Sequence, residues 1–141
     1  NEKIFQRFQK HQSKYLSFKY NFEEFVGQFI NRPKKPIIIN IGEDFAVLEV
    51  GNNEMKILLL TYEDLDQFRS NIKSVTNWCL EHKNKKAFYF STREEIKNIC
   101  LEEGFSNLPG FFTILKNDTS SEENSIQEKF DSLNINMGDK M

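Results

Sequence analysis

A strand passes directly into a helix in Met55-Lys56-Ile57-Leu58-Leu59-Leu60-Thr61-Tyr62-Glu63-Asp64-Leu65-Asp66-Gln67-Phe68. Ile57 to Leu60 is apolar throughout, the pattern of a central strand covered on both faces. The helix is read as opening at Thr61 or Glu63, because Leu65, Phe68, Ile72, Val75, Cys79 and His82 then recur at alternating spacings of three and four. Lys83-Asn84-Lys85-Lys86 closes it with cations at the negative end of the helix dipole. Ala87 to Ser91 reads as the next strand. Strand, helix and strand in this order imply a right-handed crossover against one sheet.

Working upstream, Ile37 to Ile41 and Phe45 to Val50 are strands. The turn signals Gly42-Glu43-Asp44 and Gly51-Asn52-Asn53 make antiparallel hairpins of them. Phe45, Val47 and Glu49 share one side of the second. Two amphipathic helices come first, over residues 3–16 and 22–31. Asn21 is the expected N-cap of the second, with Glu24 as its capping-box partner. Arg32-Pro33-Lys34-Lys35-Pro36 ends it.

Downstream, Ser91-Thr92-Arg93-Glu94-Glu95 opens a helix with a capping box available from either hydroxyl. Ile96, Ile99, Cys100 and Glu103 share its face, and Gly104 is the expected stop. Phe111 to Leu115 reads as a fifth strand. The expectation is an α/β fold over residues 1–116, a single domain with a mixed sheet of about five strands flanked by helices and preceded by two N-terminal helices. Residues 117–124 form a polar, acidic linker. Residues 125–141 form an amphipathic tail in which Ile126, Phe130, Leu133 and Met137 repeat at helical spacing. A helix this short is marginal alone in water, so the stripe needs a surface, either the chain's own domain or a groove on a partner or a second copy, and it is read as a partner-binding segment.

Composition narrows the classes. The 141 residues are 38% hydrophobic and 28% charged, which excludes collagen-like, low-complexity and fully disordered chains. Two cysteines make no disulfide framework. No apolar run approaches the ~20 residues of a membrane helix. The opening Asn1-Glu2-Lys3-Ile4-Phe5-Gln6 has no apolar signal core, so a cytoplasmic protein with no membrane partner is expected. Net charge is −2, distributed as +5 over residues 1–35, −4 over 36–118 and −3 over 119–141. The basic N-terminal segment also carries Phe5, Phe8, Tyr15, Phe18, Tyr20, Phe22, Phe25 and Phe29. Basic and aromatic residues together can stack single-stranded nucleic acid. The helical spacing of Ile4, Phe8, His11 and Tyr15, and of Phe18, Phe22, Phe25 and Phe29, points instead to a core, so nucleic acid is not the expected partner.

Phe88-Tyr89-Phe90-Ser91-Thr92 followed by Glu95-Ile96-Lys97-Asn98-Ile99-Cys100-Leu101-Glu102-Glu103-Gly104-Phe105, within the element order of residues 3–115, resembles the GCN5-related N-acetyltransferase fold. The resemblance implies a late strand, the helix after it and a helix-ending Gly-Phe. It also implies a glycine-rich loop after the central strand that cradles the coenzyme A pyrophosphate, because glycine lets backbone N–H groups approach phosphate at a helix N-terminus. The corresponding stretch here, Thr61 to Arg69, has no glycine and carries Glu63, Asp64 and Asp66. The family often places a tyrosine general acid four residues before the helix-ending glycine; here that position is Cys100.

Other chemistry is thinly represented. His11 and His82 are the two histidines, and Cys79 and Cys100 lack metal-ligand spacing, so no metal site is expected. Each cysteine falls on an apolar helix stripe, where it acts as a small hydrophobe; His82 stands three residues from Cys79. Glu54-Met55-Lys56 offers a Glu-x-Lys pattern with Glu43 or Asp44 upstream, the elements of a metal-dependent nuclease. The expected function is a small non-enzymatic interaction or regulatory module with a degenerate acetyltransferase-like fold, no cofactor, and a protein partner or a second copy as its ligand. An N-acyltransferase with an atypical cofactor loop, and a nuclease using Glu54 and Lys56, are the alternatives.

Overall fold

The computed structural model describes residues 1–15, 17–84 and 86–107. The fifth strand expected at Phe111–Leu115, the linker over 117–124 and the tail residues Ile126, Phe130, Leu133 and Met137 lie outside the described residues. Helices α1 (Glu2–Gln12) and α2 (Phe22–Phe25) come first, and α2 runs on into a π-helical turn, Val26–Ile30. Strands β1 (Ile37–Ile41), β2 (Asp44–Val50) and β3 (Glu54–Leu60) follow. Helix α3 (Leu65–Glu81), strand β4 (Lys86–Phe88) and helix α4 (Glu94–Glu102) complete the order.

The sheet is mixed, in the order β1-β2-β3-β4. The first three strands are an antiparallel meander, and β4 pairs parallel to β3 after the α3 crossover. The β1–β2 hairpin closes Ile41 on Asp44 through a two-residue loop whose first position, Gly42, has φ +61°, a conformation glycine adopts without penalty.

Helices cover both faces. Phe5, Phe8, Phe25 and Phe29 pack on one side against Phe45, Val47, Leu58 and Leu59. Phe68, Ile72, Val75, Ile96 and Ile99 pack on the other against Ala46, Leu48, Met55, Ile57 and Leu60. This is why β3 is apolar without alternation: it lies inside the sheet and is buried on both sides. A bulge explains the detail. Val47 pairs with Leu59 and Leu48 with Ile57, so Leu58 is an extra residue on β3, and Leu58 and Leu59 enter the same core.

Several expectations shift. Among the described residues the sheet has four strands, and the fourth is Lys86–Phe88 rather than Ala87 to Ser91. α1 ends at Gln12, so Phe18 falls between the helices and is exposed. The Asn21 capping box forms: Asn21 Oδ1 accepts from the Glu24 N–H at 2.9 Å and Glu24 Oε2 accepts from the Asn21 N–H at 2.8 Å. The second helix then loosens, with the Asn31 N–H donating to the Val26 carbonyl five residues back at 2.7 Å. α3 is capped by neither Thr61 nor Glu63 but by Asp64. α4 starts at Glu94 without a side-chain cap; Ser91 Oγ accepts from the Arg93 N–H at 3.1 Å in a local turn instead.

Candidate functional site

The carboxyl ends of the parallel pair β3 and β4 open toward α1 and the start of α4, the part of an α/β sheet where ligands ordinarily bind. Tyr62, just past β3, is the centre of a cluster drawn from distant parts of the chain. His11 Nδ1 lies 3.1 Å from the Tyr62 carbonyl. The Tyr62 N–H also lies 3.4 Å from Nδ1, so this nitrogen donates to the carbonyl in one tautomer and accepts from the N–H in the other. The His11 ring stands edge-on to Tyr62 at 4.6 Å between centroids, and Tyr15 closes the same edge at 5.5 Å.

Arg93 donates from Nη1 to the Tyr62 hydroxyl at 3.0 Å and from Nη2 to Glu95 at 2.9 Å, with its guanidinium 4.3 Å over the Tyr15 ring. Phe68 and Tyr89 continue the aromatic wall. The end of α1 is fastened further by Lys14, whose Nζ reaches the Glu63 carbonyl at 3.1 Å and its carboxylate at 3.3 Å.

The electrostatics favour a clamp over a proton-transfer centre. Burial holds His11 down from 6.5 to about 4, so the imidazole is neutral at pH 7. Burial, reinforced by the neighbouring Tyr15, keeps the Tyr62 hydroxyl protonated, and burial does the same at Tyr89. His11 Nε2 and Arg93 Nε are both buried without a hydrogen-bond partner. Such atoms cost free energy, so the fold holds this cluster against a penalty met elsewhere in its packing.

The α3 N-terminus is occupied from within the chain. The Asp64 carboxylate accepts from the Gln67 N–H at 2.8 Å, using a donor that an incoming phosphate would otherwise find. Glu63 and Asp66 flank it, both exposed. Thr61 is turned into the sheet, where its hydroxyl donates to Asp44 at 3.1 Å and accepts from the Phe45 N–H at 3.0 Å. Asn71 of α3 joins the same network through Asp44 and the Thr61 carbonyl.

Cys100 is buried among the residues beneath α3 and α4, and desolvation pushes its thiol up to about 11. It is a packed, protonated thiol. Cys79 is likewise buried, and burial raises its pKa. His82 does not turn toward it: the ring is exposed, stacks on Trp78 at 3.8 Å, and donates from Nδ1 to the Trp78 carbonyl at 2.8 Å.

The nuclease residues are not brought together. Glu54 starts β3, while Asp44 sits beside Thr61 past the other end of the same strand, about 20 Å away at ~3.3 Å per residue. Lys56 pairs across the sheet with Glu49 and Phe88. Among the described residues, no three His, Cys, Asp or Glu side chains form a group fit for a metal ion. The Tyr62 cluster was not singled out in the sequence. His11, Tyr15, Tyr62 and Arg93 are of common types and far apart in the chain; the one local signal is an aromatic directly after the apolar run of β3.

No family model matches the chain, and no match is found among curated proteins or solved structures.

Proposed function

We propose that the chain is a small non-enzymatic interaction or regulatory module on a degenerate acetyltransferase-like fold, working in the cytoplasm. The observation that carries this reading is the capping of α3 by Asp64. Where the resemblance calls for glycines and a pyrophosphate, a carboxylate already holds the helix terminus, and Glu63 and Asp66 add like charge. The buried, protonated Cys100 thiol at the position of the family's general acid supports the same reading. So does the Tyr62 cluster, in which His11 and Tyr62 offer no proton exchange near pH 7.

Ile126, Phe130, Leu133 and Met137 are proposed as the partner-binding stripe, because four apolar residues at helical spacing in a polar tail have a use only against a surface. Titration calorimetry of the full chain with acetyl-coenzyme A is the test. No heat of binding is expected at millimolar ligand, and micromolar binding overturns the reading. Deletion of residues 119–141 tests the stripe: loss of partner capture is expected, and unchanged melting temperature, solution mass and partner retention discard it.

A further inference from the structure

β1 is the outermost strand of the described sheet, with β2 on one side and no described strand on the other. The direction of its backbone groups follows from β2. Phe45 gives its N–H to Thr61 Oγ1, and its carbonyl accepts the Thr61 N–H at 3.1 Å, so Phe45 faces β3. Its neighbours Asp44 and Ala46 therefore face β1, where they pair with Ile41 and Ile39. The N–H and C=O groups of Ile38 and Asn40 are left pointing away from the sheet, with no backbone partner among the described residues.

Sheet edges of this kind are commonly blunted by lysine, a bulge or an inward-pointing charge. Ile37–Ile41 contains none of these, and its pairing with β2 runs without a break in register. Ile37 is 40% exposed on it.

We propose that this edge pairs with the same edge of a second copy of the chain, antiparallel about a two-fold axis through Ile39. The inference stands apart from the reading of the coenzyme A loop and of the tail. The register is selected by the chain itself. An axis through Ile39 sets Ile38 against Asn40 of the second copy, so all the outward N–H and C=O groups of both residues pair. It stacks Ile39 on its own copy and Ile37 on Ile41, which covers the exposed Ile37. Pro36, which has no N–H to give, falls opposite Gly42, whose carbonyl already accepts from Arg7 at 2.9 Å. One step further out, Lys35 comes alongside the β1–β2 loop and its second residue, Glu43.

Both of these charges are exposed, and neither forms an ion pair within the chain among the described residues. Shifting the axis to Ile38 or Asn40 breaks the charge match and leaves outward groups unpaired. The two-fold axis brings each Lys35 near the Glu43 of the other copy, twice per dimer, as two long side chains in reach of one another beside the β1–β2 loop. A five-residue edge buries less than the ~800 Å² per partner of a standard interface, so the association is weak and reversible.

Sedimentation velocity of the full chain over a concentration series tests this. The mass is expected to rise from 16.7 kDa toward twice that value. Lys35→Glu and Glu43→Lys are each expected to weaken association roughly tenfold by turning two attractions into two repulsions. The charge swap Lys35→Glu/Glu43→Lys is expected to restore it. Ile38→Pro removes an outward N–H, leaves the β1–β2 ladder intact, and is expected to abolish the dimer. Melting temperatures of all four variants report folding independently. A wild type that stays monomeric, a dimer indifferent to both single reversals, or a swap that fails to restore what each single change weakens overturns the proposal. So does a dimer that survives every edge variant and disappears when residues 119–141 are deleted.

Discussion

At the scale of single residues, His11 couples folding to pH. The unfolded chain takes up the imidazole proton near 6.5, whereas the folded chain takes it up only near 4, because the ring is buried against Tyr62 and Tyr15. Between those values the unfolded state binds the extra proton. Stability from this group is therefore complete above pH 6.5 and is lost as pH falls toward 4, by roughly 3 kcal/mol in all. His11→Gln keeps a donor for the Tyr62 carbonyl and removes the titration. Urea unfolding at pH 7 and at pH 4.5 should show a smaller acid loss in that variant than in the wild type. An equal loss means that His11 is not the group responsible. Asp64 is a second single-residue case: Asp64→Ala removes the N-cap of α3 and should cost about 1 kcal/mol in thermal unfolding.

The elements show which local patterns survive in the fold. α4 ends in a paired closure: the Phe105 N–H donates to the Cys100 carbonyl at 2.9 Å and the Gly104 N–H to the Leu101 carbonyl at 3.1 Å, with Gly104 at φ +96°. Gly104→Ala meets open space but the wrong backbone conformation, so it should destabilise by about 1 kcal/mol in a melt. A neutral result means that the helix ends by another route. The Gly104 stop and the Asn21 capping box were legible because each is built within a few residues. The start of α3 was not, because the Thr61 hydroxyl that would cap it is engaged by Asp44 and Phe45, partners from another strand. The π-helical turn was also hidden: Phe25 and Phe29, four residues apart, enter the same core with or without the looser turn.

At the scale of the molecule, the sheet separates two cores that depend on each other. The unbroken apolar run of β3 made its double coverage legible; the alternation expected of β2 did not show that Phe45 and Val47 face one core while Ala46 and Leu48 face the other. The Tyr62 cluster stayed invisible because His11, Tyr62 and Arg93 meet only after α1 and α4 pack at the same end of the sheet, and no periodicity records that meeting. The two-sided arrangement predicts how the protein unfolds. Phe8 is buried against Phe5, Tyr20, Phe25 and Phe29, and Ile72 is buried in the opposite core. Phe8→Ala should cost about 3–5 kcal/mol and Ile72→Ala about 2–5 kcal/mol, the range for cavities left by side chains of these sizes. Because β2 and β3 contribute side chains to both cores, neither face keeps its shape once the other is lost. Both variants should therefore lower the urea midpoint of one shared transition and leave its slope unchanged. Tryptophan fluorescence reports the α3 side through Trp78, and far-ultraviolet circular dichroism reports all the helices. The two signals should coincide in the wild type and in both variants. If Phe8→Ala splits them, with the helical signal falling before the Trp78 signal, then α1 and α2 unfold from the sheet on their own and the two cores are energetically separate.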